Sequence, residues 1–247
     1  MSWQRWRQKI EMRPMLLIAN NFAREQRWPL FFLLLWVLGW ATFGVFEDPH
    51  SGPEDALMIF RQLAVYSVTF GVFFGSSSIQ ADQRSRRILA VLSKGISRSQ
   101  YIFGLLAGIA LVLGVFCLCM GFTASWLLGH FGFSEGALWF GMLALWTACM
   151  LTASLTLLLS TFMPPLFAAI GAGTLAGIPA LLALRGDTFS KYVIPVHGLL
   201  EPLISADFSQ RWHASPGMVF LGWTETAVFW LVAAWIFSHR DLSVAVE

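Results

Sequence analysis

Between residues 29 and 238 the chain carries six apolar stretches, over approximately 29–46, 57–80, 101–128, 137–161, 165–184 and 218–238. A helix rises about 1.5 Å per residue and a bilayer's hydrocarbon is about 30 Å thick, so about 20 successive apolar residues match one crossing. The first stretch is free of charge and opens on Pro29, which suits a first helical turn because its missing N–H is not needed there. The third is long enough that it must tilt or protrude. Pro164 and Pro165 separate the fourth from the fifth, and two prolines in succession predict a tight hairpin rather than one long helix. With 57% hydrophobic residues and 12% charged, the chain holds more apolar surface than a soluble domain could cover. Lipid must cover the remainder. A net charge of +2 and this composition exclude a disordered chain, a disulfide-stapled scaffold and a nucleic-acid binder.

Lysine and arginine in short loops stay on the cytoplasmic side. Arg5, Arg7, Lys9, Arg13, Arg24 and Arg27 precede the first stretch, Arg84, Arg86, Arg87, Lys94 and Arg98 lie between the second and third, and Arg240 follows the last, twelve of the sixteen basic residues in all. Both termini are therefore expected inside. The 28 mostly polar residues ahead of the first stretch, with no small-residue cleavage site after it, predict that this stretch is retained rather than removed as a signal peptide. The expected architecture is an all-α integral membrane protein of six transmembrane helices. Residues 1–28 form an amphipathic cytoplasmic interface segment, 29–238 the six-span domain, and 239–247 a cytoplasmic tail.

Within the first segment, Met15, Ile18, Ala19 and Phe22 fall at i, i+3, i+4 and i+7, the spacing of a helix apolar on one side. Such a helix is expected to lie flat on the inner membrane surface, as an anchor or as a docking element for a cytoplasmic partner. Trp3, Trp6 and Ile10 repeat the pattern upstream of Pro14. The loop after the second stretch begins with Asp82 and continues through Arg84, Arg86 and Arg87 to Ile88, Leu89, Val91 and Leu92, with Gly95 as a stop. Acid first, basic residues later and one apolar side predict a short amphipathic helix. Ser97 then suits the N-cap of the third span.

The run Leu-Ala-Val-Leu-Ser-Lys-Gly-Ile-Ser-Arg, behind an acid and arginines and ahead of Tyr-Ile-Phe-Gly-Leu-Leu, resembles the cytoplasmic coupling segment of ABC-type-2 transporter permeases. The six spans, inward termini, amphipathic N-terminal helix and long outer segment before the last span agree with that family along nearly the whole chain. Its Glu-Arg and Gly-Thr pairs are replaced here by Asp82-Gln83-Arg84 and Arg86-Arg87-Ile88. The resemblance implies a permease subunit in the bacterial inner membrane, a homodimer or a pair with a similar subunit, driven by a separate ATPase that binds ATP and Mg²⁺ itself. It also implies that Asp82, Arg84, Arg86, Arg87, Leu92, Ser93 and Arg98 belong to the segment that receives this ATPase. Short outer or re-entrant helices, broken at Pro195 and Pro202, are implied between the last two spans. No phosphate-binding G-x-x-x-x-G-K-[ST] loop occurs in the chain, so no cofactor is expected here and any energy must come from another polypeptide. A passive membrane scaffold or assembly factor would share the same topology and is the competing reading.

Two charges fall inside apolar stretches. Arg61 enters the second span and Glu225 the last, at similar depth. A carboxylate near mid-bilayer costs about 2.5–3.5 kcal/mol on insertion scales, so an ion pair or a shared polar cavity is expected, with a snorkelling Arg61 and a protonated Glu225 as the alternative. Gly71/Gly75, Gly104/Gly108 and Gly173/Gly177 have the spacing that lets helices approach closely in lipid. Cys117 and Cys119 point in different directions and are expected to be core residues rather than joint metal ligands. His197 and Glu201, at i and i+4 with His213 nearby, are too few to claim a metal site. Ser76, Ser77 and Ser78 have no histidine at matching depth, which argues against a membrane serine protease. No catalytic residue is expected.

Overall fold

A computed structural model describes residues 12–46, 52–84, 96–129, 132–186, 189–205 and 215–239. Among these residues every regular element is a helix: α1 (Met12–Glu25), α2 (Arg27–Phe46), α3 (Pro53–Arg84), α4 (Arg98–Gly129), α5 (Glu135–Ser160), α6 (Pro165–Leu184), α7 (Ser190–Val193), α8 (Val196–Ile204) and α9 (Pro216–His239). Within α3, α4, α5, α6 and α9 there are five stretches long and apolar enough to cross a membrane. The protein is thus an all-helical protein of membrane-embedded character. The first expected span falls in α2, whose described apolar stretch, Arg27–Gly39, is shorter than a crossing. The proline hairpin is present: Pro164 precedes α6 and Pro165 is its first residue.

Helix α5 is the axis of the bundle, 78% buried along its crossing window against 22% for α6 and for α9. It packs against α3, α4, α6, α8 and α9. Lipid tails give apolar helices no reason to prefer one another, so association in a membrane depends on close backbone approach. Gly71 and Gly75 supply it: a Cβ on Gly71 would lie 2.6 Å from Thr152 Oγ1 and collide with the Cys149 carbonyl, and one on Gly75 would lie 2.5 Å from the Ala153 carbonyl. The seam carries polar contacts too, the Cys149 thiol donating to the Ser67 carbonyl at 3.4 Å and Thr152 Oγ1 standing 3.4 Å from the Val68 carbonyl. These pairings rise together along both chains, so α3 and α5 run in the same direction. Helix α4 runs against them, with Trp146 Nε1 donating to the Ala110 carbonyl and Gly121 beside Trp139 and Met142.

The apolar stripe of α1 is the one expected, but its cover is protein. Ile18 sits over Gly104 and Phe22 over Gly108, each within 2.9 Å of where a Cβ would stand. Because the later residue of α1 meets the later residue of α4, the two helices lie side by side in the same direction. The stripe expected to meet the membrane surface is thus turned to α4 in the structure. The glycine pair removes the side chains that would hold α1 off, and α1 seats on α4 instead. Leu16 and Leu17 remain exposed on its other side. Only Gln26 separates α1 from α2, and helical bonds continue across it, from the Gln26 N–H to the Phe22 carbonyl and from the Leu30 N–H to the Gln26 carbonyl.

At the end of the bundle where α5 and α9 begin, α8 lays Leu203 over Gly141 of α5 and Leu199 over Gly222 of α9, and its own Gly198 receives Met218 of α9. Pro195 precedes α8, as a break should. Pro202 does not break the chain: it lies inside α8. The loss is one helical hydrogen bond in a single-turn interval near the C-terminal end, which packing against α5 offsets.

Candidate functional site

The opposite end, where α1, α4 and α6 begin and α3, α5 and α9 finish, gathers the residues singled out for coupling. Asp82 and Arg84 close α3. Arg86, Arg87, Leu92 and Ser93, with the short helix expected across them, lie outside the described residues. The described chain resumes at residue 96, and Ser97 is the N-cap expected of it. Ser97 Oγ accepts from the Gln100 N–H at 3.2 Å while Gln100 Oε1 accepts from the Ser97 N–H at 3.0 Å. This reciprocal box satisfies two donors that the first turn of α4 would otherwise leave open.

Arg98 follows directly and is placed differently from a free partner-binding residue. Its Nη1 donates to the Phe237 carbonyl at 3.4 Å and to the Ser238 carbonyl at 3.2 Å. Those carbonyls close α9, where the helix dipole is negative and the last C=O groups lack helical partners. The Tyr101 ring stacks on Phe237 at 5.9 Å between centroids. With Gly104 and Gly108 carrying α1, the first three turns of α4 are tied to both α1 and α9. The i, i+3, i+4, i+7 stripe and the glycine pair were each visible in the sequence; that one fits the other was the missing step.

Beside this base, the end of α3 and the α5–α6 turn enclose a cavity of about 230 Å³ lined by Ser76, Gln80, Ser160, Phe162, Met163, Pro164 and Pro165. Its hydroxyls are engaged locally. Ser76 donates to the Phe73 carbonyl and Ser160 to that of Leu157, and outside the lining Ser77 donates to Phe73 and Ser78 to Gly75, the usual habit of serine inside a helix. None is prepared as a nucleophile.

Arg61 and Glu225 do not form the expected ion pair. Among the described residues the ammonium–carboxylate contact is Lys191 to Glu201 at 3.0 Å. Glu225 Oε2 is buried with no hydrogen-bond partner among them. The reason is topological: α3 and α9 each pack on α5, which stands between them. Matching depth in two spans is no evidence that the spans are neighbours.

His197 and Glu201 share α8, but Glu201 is held by Lys191, and no group of three or more His, Cys, Asp or Glu able to hold a metal occurs among the described residues. His213 lies outside those residues. Burial pushes the His197 imidazole below its ordinary value of 6.5, the nearby Glu201 carboxylate opposes this, and Lys191 adds to it. Its Nδ1 is buried without a partner. A histidine held neutral in the fold contributes stability that is present above the unfolded value and is lost as pH falls below it, because the unfolded chain then takes up the proton first. Wild-type protein should lose more thermal stability between pH 7.5 and 5.5 than a His197→Phe variant, and equal losses in the two would remove the imidazole from the account.

The third glycine pair differs from the other two. Nothing lies within 4 Å of a Cβ built on Gly173 or Gly177, so this face of α6 is open. Comparison of the chain with protein-family models, with curated proteins and with solved structures finds no match.

Proposed function

We propose that the chain is the permease subunit of an ATP-driven ABC-type-2 transporter of the bacterial inner membrane, with six crossings, both termini cytoplasmic, and a substrate exported across the bilayer or released laterally from it. The observation that carries this reading is the bracing of α4 at the base. A push on the basic segment between α3 and α4 meets a helix start fixed by its capping box, by α1 in its glycine seat and by Arg98 on the end of α9. A partner's conformational change does work on a membrane subunit only through something stiff. Asp82, Arg84, Arg86, Arg87, Leu92 and Ser93 are the residues that would receive it. The open Gly173/Gly177 face of α6 suits close approach of a second, similar subunit.

The test is co-purification. Tagged protein expressed with its neighbouring genes should bring down a cytoplasmic ATPase, and replacing Asp82, Arg84 and Leu92 together should reduce the captured ATPase at least tenfold. A stable, functional complex with no nucleotide-hydrolysing partner would favour the scaffold reading instead. Charge labelling of intact cells that finds residues 85–95 outside would overturn the topology on which coupling depends.

A further inference from the structure

Near the middle of the bundle, the Met120 sulfur of α4 and the Cys149 sulfur of α5 both stand against Ser67. Cys117 and Met120 stand at i and i+3 on α4 and so share one face. Cys117, buried on that face, is a neighbour of Cys149 on α5. Cys149 Sγ is 3.4 Å from the Ser67 carbonyl. On the same residue, Ser67 Oγ donates to the Leu63 carbonyl at 2.6 Å and stands 3.5 Å from Met120 Sδ. Cys117, Met120 and Cys149 are 4%, 1% and 0% exposed, so no water competes for them. Cys119, two residues from Cys117, is half-buried and turned elsewhere.

We propose that Cys117, Met120 and Cys149 form a binding site for one soft monovalent cation of the copper(I) class. Sulfur donors exclude magnesium and calcium, which take oxygen; zinc accepts thiolate but closes a structural site with four Cys, His or carboxylate ligands, whereas a set of three sulfurs that includes a thioether suits copper(I). Charge decides the protonation state of the complex. A net charge is costly in an apolar interior, so the neutral form is favoured: one thiol gives its proton to solvent and becomes the thiolate that balances the cation, and the other thiol and the Met120 thioether bind as neutral donors. Binding breaks the Cys149 contact with Ser67 and ties α4 to α5 directly. The inference goes beyond the transport proposal and stands without it, since its readout is metal bound per chain rather than ATP turnover.

Full-length protein in lipid nanodiscs, reduced and then loaded anaerobically with copper(I) from a competing chelator, should retain one copper per chain, with an X-ray absorption spectrum fitted by sulfur donors alone. Cys117→Ser and Cys149→Ser should each weaken retention at least a hundredfold, Met120→Leu by about tenfold, and Cys119→Ser not at all. Each variant is compared at equal monodispersity, and Cys119→Ser controls for non-specific thiol binding. No retained copper in folded wild-type protein, retention unchanged by Cys117→Ser or Cys149→Ser, or loss caused equally by Cys119→Ser would each overturn the proposal.

Discussion

Leucine at Gly71 or Gly75 should lower the stability of the bundle more than any other single substitution considered for this protein, by about 3 kcal/mol, the upper part of the range for overpacking. The obstacle is what sets the size. A Cβ at Gly71 runs into the Cys149 carbonyl, and one at Gly75 into the Ala153 carbonyl at 2.5 Å; both are backbone atoms of the most buried helix, which cannot swing aside as a side chain can. At Gly104 and Gly108 the obstacles are the β-carbons of Ile18 and Phe22, which can give way only if α1 as a whole lifts from its seat, so the loss there should be the docking of that one outer helix and smaller than disruption of the central seam. Alanine at Gly173 or Gly177 meets nothing and gains the ordinary helical preference of alanine over glycine, up to about 1 kcal/mol. For a chain of this size a 3 kcal/mol loss corresponds to a fall of roughly 6–12 °C in melting temperature. Thermal unfolding of the purified variants in one detergent ranks them. A Gly71→Leu protein that melts with wild type would mean that α3 and α5 do not touch at this pair.

That ranking also marks how far the sequence could be read. The three glycine pairs have the same spacing, and spacing alone assigns each of them to packing; it does not distinguish the two that hold a helix from the one that is open, because the partner face lies elsewhere in the chain. Local chemistry was readable wherever both partners were close in sequence. Ser97 and Gln100 form the capping box three residues apart, and Pro164 and Pro165 turn the chain where they stand. Readings that required knowing which helices are neighbours did not transfer. Arg61 and Glu225 match in depth yet have α5 between them. Cys119 is the cysteine nearest Cys117 in sequence, whereas the neighbour of Cys117 across the helices is Cys149. The stripe on α1 was correctly apolar, but lipid and a glycine-paved helix present the same demand to it, and periodicity cannot tell them apart.

Arg98 is where the two kinds of reading meet, and its replacement is the most decisive functional experiment within the transport proposal. As a member of the ATPase-receiving segment it should touch the partner; in the structure its guanidinium holds the last carbonyls of α9. The two roles give different results. If Arg98 is a strut, Arg98→Ala removes hydrogen bonds to a helix C-terminus that contribute about 1 kcal/mol, leaves Asp82, Arg84 and Leu92 free to bind, and lets the start of α4 yield under load. The ATPase should then co-purify at wild-type yield while transport-stimulated ATP turnover falls at least tenfold. Arg98→Lys should recover only part of that turnover, since an ammonium keeps the charge but ends one bond short of the Nη1 that reaches both carbonyls. If Arg98 contacts the partner instead, Arg98→Ala should lose the ATPase together with the activity while the melting temperature stays unchanged. The capture and turnover assays, run on the same preparation, decide between a residue that receives the push and one that keeps α4 rigid while it is delivered.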